Sequence, residues 1–581
     1  MNDIRRTILW VIFGFSMVLL WDRWQVHNGH PATFLPTAPK PAAVASAPGG
    51  NGIPVAVPAP VAGGNNTVPN PVPTAAGAQT AVAAPVAGGA TQQGQRVTVR
   101  TDVMELTFDT QGGSLVRTAF LKHKDMNDHS KPFVLLDESP SLVYMAQTGL
   151  IGNIAGVEYP THKTVMEFSG ERELRDGQDE LVVSFTSPSI GGARLVKTYT
   201  LRRGHYDIAV RHAVTNTGAE PVTPQLYLQL VRDGNKPKGE SSFYFTFTGP
   251  AVYTDATKFK KIDFADIKKG KADYPRTSSD GYVAMVQHYF ASAWLLPQGM
   301  QRSISMDAVD IGSAVPDCCY RATQIAPMEP IGPGASKSVD AKLFVGPQEE
   351  KVLEALAPGL ELVKDYGWLT ILAKPLYWLL DKIHSVLGNW GWSIMGLVLL
   401  LKILFYWLNA KAYSSMAKMK AINPRITEMR ERLKDNPQQM QQEMMKIYRE
   451  EKVNPMGGCF PIMIQIPVFI ALYWVLLSSV EMRNAPWVMW ITDLSAPDPY
   501  FILPVFMTLT TLLQTALNPA PPDPMQAKLM WFMPLIFSVM FFFFPAGLVL
   551  YWITNNVLSI AQQWLINTRM GVPPQFNLPK F

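Results

Sequence analysis

The chain has 581 residues, of which 48% are hydrophobic and only 17% charged, a balance too apolar and too poor in charge for an ordinary soluble protein. Its formal net charge of +5 becomes informative only when the charges are assigned to the two sides of a membrane. Three cysteines, Cys318, Cys319 and Cys459, supply neither a disulfide framework nor metal-ligand spacing. Adjacent cysteines bridge only under strain, so free thiols are expected.

In chain order, residues 1–24 carry an apolar run from Thr7 to Trp21 behind Arg5 and Arg6, and the candidate cleavage site Ala43-Val44-Ala45 lies far downstream; they read as an uncleaved anchor helix rather than a signal peptide. Residues 25–95 are dominated by Pro, Ala, Val and Gly, with Lys40 the only charge between Pro31 and Gln95, and form a linker. From Arg96 the texture turns to alternation, as in "ELVVSFTS" and "TPQLYLQLVRD", the period of half-buried strands. Turn dipeptides Gly112-Gly113, Gly191-Gly192 and Thr217-Gly218 separate the runs. Residues 96–345 are therefore expected to form one antiparallel, two-sheet domain.

Residues 346–389 turn helical, and the portion from Trp368 to Leu387 mixes a broad apolar face with Lys374, Asp381, Lys382 and His384, as in a helix lying along a membrane surface. Five spans follow at 390–408, 455–477, 500–517, 529–544 and 547–566. The last two share one apolar region, too long for a single crossing of a core about 30 Å thick and divided at Pro545-Ala546-Gly547. Residues 409–454 contain ten Lys and Arg, whereas 478–499 contain only Arg483. The first segment is thus expected inside, with the short 518–528 loop, the 567–581 tail and both termini, and the β domain outside.

The inside segment has its own pattern. Met419, Ile422, Ile426, Met429 and Leu433 are spaced 3, 4, 3, 4, and Met440, Met444 and Ile447 resume after Asp435-Asn436-Pro437, which predicts two amphipathic helices in an antiparallel hairpin. Asn423-Pro424 should kink or restart the first of them.

Chemistry centres on Lys402, a full charge in an apolar run without an acid. On one continuous helix Lys402, Tyr406, Asn409 and Tyr413 fall at i, i+4, i+7 and i+11, a polar stripe. Gln465, then Thr508, Thr511 and Thr515, then Asn555, Ser559 and Gln562 continue polar stripes on other spans. Two readings of Lys402 stand: its stem snorkels to the nearby boundary and fixes topology, or the stripes converge into a wet groove holding an uncompensated cation. The threonines and amides equally suit hydrogen-bonded glue between helices. H-E-x-x-H, G-x-S-x-G and Walker motifs are lacking, so no enzyme, metal or cofactor is expected. His123, His129, His205 and His288 read as scattered surface histidines rather than a sugar-type cleft.

The stretches "DYGWLTILAKPLYWLLDKIHSVLGNWGWSI", "EKVNPMGGCFPIMIQIPVFIALYWVL" and "DPMQAKLMWFMPLIFSVMFFFFPAGLVLYWITNN" resemble the Gram-negative branch of the YidC and oxidase-assembly family of membrane protein insertases, over most of the chain and in order. The resemblance implies a six-span inner-membrane protein with a five-helix core around a hydrophilic groove, and a periplasmic β-supersandwich similar to sugar-mutarotase folds. It implies insertion and chaperoning of nascent membrane proteins, alone or with the Sec translocon, and no specific nucleic-acid partner. The expected groove residues are Lys402, Tyr406, Gln465, Thr511, Thr515, Asn555, Ser559 and Gln562. Expected contacts with client or ribosome are Met419, Arg425, Met429, Arg432, Met440 and Met444 of the hairpin. Counting back from Tyr413-Ser-Ser-Met-Ala-Lys-Met, Lys402 occupies the position of the family's groove arginine, which keeps charge but loses the planar fork. The tail holds just Arg569 and Lys580, so ribosome contact through it is not expected. A secondary transporter or channel is the alternative, but it calls for repeated halves or paired ionisable groups, and neither is evident.

Overall fold

The computed structural model describes residues 94–126, 128–152, 157–237, 246–433, 436–451, 460–518, 524–569, 571 and 576. The expected anchor, all but the end of the linker, residues 519–523 of the 518–528 loop and most of the tail lie outside these. The chain divides into two compact units. The one described below comprises Gly64–Pro519 and Trp531–Lys580, and of the other only 524–530, the first turns of one helix, are described.

Eighteen strands between Arg96 and Pro347 form two nine-stranded sheets. Period two decides what each side chain meets. In the central strand Pro224–Arg232, paired with Leu142–Gly152 and Tyr320–Pro327, Leu226, Leu228 and Leu230 join the core shared by both sheets. The alternate Tyr227 and Val231 pack in separate clusters on the opposite face. Polar struts cross the sandwich: Tyr144 and Ser292 share a hydroxyl hydrogen bond at 2.6 Å, and Trp294 Nε1 donates to Gln229 O at 3.1 Å. Buried Lys197 donates to Gly112 O and Thr148 O at 2.6 and 2.7 Å. Gly112 turns with φ +75°, and a Cβ there would stand 2.4 Å from His162 O, so the turn requires glycine. The structure pairs Cys318 with Cys319, where free thiols were expected. The four histidines form no common cluster: His129 and His205 are exposed, the latter 3.3 Å from Asp207, while His123 and His288 lie near Arg483.

A short helix, α1 (Phe264–Lys268), lies within the β domain, and α2 (Glu350–Leu356) leaves it. The helical part continues with α3 (Thr370–Leu387), α4 (Trp390–Leu404), α5 (Tyr406–Arg432), α6 (Pro437–Glu450), α7 (Phe460–Ser478), α8 (Ile502–Leu517), α9 (Pro524–Phe541) and α10 (Ala546–Arg569). Local chemistry sets several ends. Gly388 closes α3 in the left-handed conformation, and the Asn389 side chain caps α4 by accepting from Trp392 N, the preferred residues for those positions. Asp498 accepts from Tyr500 N, Leu503 N and Trp490 Nε1 at the head of α8. Among the described residues no single helix is long and apolar enough to cross a membrane; the pair α4 and Tyr406–Met419 reaches the length but bends by 69°. This bend corrects the expectation of one continuous helix carrying the Lys402 stripe. Helix α5 continues through Pro424 without restarting there.

Hairpin α5–α6 closes on itself. Ile422, Ile426, Met429 and Ile447 form its core, with Met419, Met440 and Met444 packed against it. Arg425 donates to Glu450 and Glu451 and Arg432 to Glu443. All six hairpin residues expected to contact client or ribosome are thus engaged within the hairpin.

The β domain and the helices meet through the loop after α7. Arg483 donates to Lys124 O and lies over the rings of Phe133 and Phe290, 4.6 and 5.1 Å from their centroids. His288 Nε2 donates to Leu477 O at 2.8 Å. Glu481 takes Tyr377 OH at 2.5 Å and pairs with buried Lys364 at 3.3 Å, so a connector residue, α3 and the loop share one carboxylate. A buried charge needs such partners to be tolerated.

Both histidines of this joint are held neutral. Burial first and Arg483 second lower the His123 pKa from 6.5 to about 4. Burial, opposed by the bond to Leu477 O and helped by Arg483, lowers His288 to about 4. Their contribution to stability is complete above the unfolded value of about 6.5 and is lost as pH falls through the folded value. Thermal unfolding of the full-length protein should show the midpoint dropping between pH 6.5 and 4, and His288→Gln should flatten that dependence.

Candidate functional site

Helix α10 organises the polar residues of the bundle. Asn555, Ser559 and Gln562 fall at i, i+4 and i+7, hence on one face, and each meets a different segment. Gln465 Nε2 of α7 donates to Asn555 Oδ1 at 2.9 Å. Lys402 Nζ of α4 donates to Ser559 Oγ at 2.7 Å. Asn409 Nδ2 of α5 reaches Gln562 Oε1 at 3.4 Å. At 1.5 Å per residue the three rungs span roughly 10 Å of the helix.

Beside these rungs lies a small cleft of about 40 Å³, lined by Leu401, Lys402, Phe405, Asn409, Gln465, Tyr551 and Asn555 among others. Its walls are mostly apolar, with one cation and a few amides converging, the composition of a binding cleft. No carboxylate pairs with Lys402 among the described residues. Its position in the last turn of α4 is favourable for a cation, since the carbonyl end of the helix dipole is negative.

A neighbouring face of α10 does something else. Asn556 Nδ2 donates to Thr511 Oγ1 at 2.8 Å and to Thr510 Oγ1 at 3.3 Å, and Gln563 Nε2 to Leu517 O at 3.3 Å. Thr511 and Thr515 turn their hydroxyls to the carbonyls of Met507 and Thr511. Asn556, Gln563, Thr510 and Thr511 thus seam α8 to α10, while the Thr515 hydroxyl bonds within α8.

Of the eight residues expected in the groove, Lys402, Gln465, Asn555, Ser559 and Gln562 are brought to the cleft or its rungs. Thr511 belongs to the seam, and the Thr515 hydroxyl bonds within α8. Tyr406, beyond the bend, is 39% exposed and does not line the cleft. Sequence reasoning missed Tyr551 and Phe405. Tyr551 stands four residues before Asn555, so extending the i, i+4 stripe by one step would have found it; Phe405 stands at the break, which no proline or glycine announces.

A model described as YidC periplasmic domain matches residues 96–379, and one described as 60Kd inner membrane protein matches residues 382–572. The chain is 54% identical to the membrane protein insertase YidC of Cupriavidus necator over 571 residues, covering 98% of each. It is 53% identical to that of Ralstonia nicotianae over 573 residues, again 98% of each. A crystal structure of an active YidC insertase with its first transmembrane domain resolved aligns with 81% of this chain and 94% of that one, at 18% identity and a TM-score of 0.36. With relatives matching end to end at half their residues, the chain belongs to the YidC family of membrane protein insertases.

Proposed function

We propose that the protein is a non-enzymatic insertase of the inner membrane, in which the cleft of Lys402, Gln465 and Asn555 receives a short polar segment of a nascent membrane protein arriving from the cytoplasm. The observation that carries this is an ammonium with a hydroxyl and no carboxylate as its partner. Such a site attracts an acidic segment and lowers its desolvation cost part-way across the bilayer. Burial of the client's apolar helix in lipid, about 0.8 kcal/mol per CH₂, then completes insertion.

In this reading α4 with the start of α5, α7, α8, α9 and α10 are the five core helices in the bilayer. The outward apolar side chains support it: Leu509 on α8 is 58% exposed and Ile536 on α9 63%, surfaces that suit lipid better than water. The anchor would make a sixth span, placing both termini in the cytoplasm and the β domain in the periplasm. Exposed Ile371, Trp378 and Val386 on α3 suit the bilayer surface. Because Met419, Met429, Met440, Met444, Arg425 and Arg432 are engaged within the hairpin, exposed Lys418 and Arg449 are candidates for ribosome contact, and cooperation with the Sec translocon falls to the same chain in the membrane. Family membership favours insertion over solute transport.

In proteoliposomes, Lys402→Ala should slow insertion of clients with acidic translocated tails by about tenfold, the worth of one interaction with a charge, and Lys402→Arg should restore it; normal insertion by the alanine variant would count against the cleft. The two neighbouring asparagines should separate: Asn556→Leu should destabilise the bundle by roughly 1 kcal/mol through the lost interhelical bond, whereas Asn555→Leu should chiefly lower the insertion rate. Thermal denaturation in detergent beside the insertion assay reads both.

A further inference from the structure

We propose that Ser559 is a positioning residue for the Lys402 ammonium: its hydroxyl keeps the charge inside the cleft when no client is bound and gives it up to a client carboxylate. This rests on the cleft being the client site.

A lysine one turn from the end of an apolar helix has two destinations. Its four-carbon stem is flexible enough to carry the charge to phosphates at the nearby boundary, where it would do nothing for a client. Two features oppose that. Side chains on a helix lean toward its N-terminus; for α4 that end is Asn389, whose side chain donates to Pro486 O in the loop between α7 and α8, on the side opposite the hairpin. The second is the acceptor itself: Ser559 is 2% exposed and meets Nζ at 2.7 Å.

The type of acceptor sets what happens next. An ammonium has three N–H donors, of which Ser559 takes one. A carboxylate at that position would neutralise the cation and compete with any acidic client. A hydroxyl orients the cation and leaves its charge uncancelled, and charge-assisted bonds are roughly twice as strong as neutral ones. Exchange of the serine for a client carboxylate is therefore downhill, while exchange for a lipid phosphate requires the stem to leave the cleft. The rungs on either side, Gln465 with Asn555 and Asn409 with Gln562, tie α10 to α7 and to the start of α5, which follows directly on the lysine's helix, so the hydroxyl stays within reach.

The test uses full-length protein in proteoliposomes and a client with an acidic translocated tail. Ser559→Ala should slow insertion by about tenfold, the loss expected for one hydrogen bond to a charged group. Ser559→Thr should restore it, and Ser559→Asp should fall to the level of Lys402→Ala. The double variant Ser559→Ala with Lys402→Ala should be no slower than Lys402→Ala alone, a non-additivity that a general packing defect would not give. Wild-type rates for Ser559→Ala while Lys402→Ala is slow, or additive losses in the double variant, would overturn the positioning role and leave the cleft reading standing. Wild-type rates for Lys402→Ala would overturn the cleft reading itself.

Discussion

A cation held by a hydroxyl in an apolar bundle is the constraint on which the rest depends. Moving a charge from water to the centre of a bilayer-embedded helix costs roughly 2.5–3.5 kcal/mol on insertion scales, and a carboxylate partner would be the ordinary remedy. Here the cost is reduced instead by the negative end of α4, by Ser559 and by the opening of the cleft. The cation is left uncancelled, and on the proposed reading that residual attraction is what a client would use. An ammonium at this position lets a single hydroxyl satisfy the geometry, since lysine makes no demand for a planar bidentate partner.

Helix α10 serves two ends with adjacent residues. Asn555 and Asn556 are about 100° apart around the helix, which sends one to the cleft and the other to the threonines of α8. The seam fixes α10 as a platform, and the rungs then hang on a helix that cannot roll. At the junction with the β domain, Arg483 of the loop after α7 packs on Phe133 and Phe290 and His288 bonds the last turn of α7, while Glu481 ties that loop to Lys364 and to α3. That joint gives the large domain a defined seat on the helices and makes its stability sensitive to mild acid.

Much of the fold was legible in the sequence because the relevant signals are local. Alternation in "TPQLYLQLVRD" fixes which residues of the central strand face the shared core, and Gly112-Gly113 marks a turn that no side chain fits. The methionine spacing of the hairpin likewise implies its seam. What sequence could not supply was tertiary. The 69° break beside Phe405 has no proline or glycine to signal it, so a stripe counted on one straight helix wrongly carried Tyr406 into the cleft. Periodicity identified polar residues on α10 without saying which of two neighbouring faces meets which helix. Arg425 and Arg432 looked available because their acidic partners sit 11 to 26 residues away on the other arm. His123 and His288 looked like surface residues because the arginine and the carbonyl they pack near come from the far end of the chain.

The most direct measurement is site-specific photocrosslinking to a ribosome-stalled nascent membrane protein from single positions at Lys402, Gln465 and Asn555, set beside Thr511 and Asn556. Adducts from the first three with none from the last two are the expected result, because only the former border the cleft. Equal yields from both groups, or adducts confined to the α8 seam, would contradict the placement of the client beside the lone ammonium.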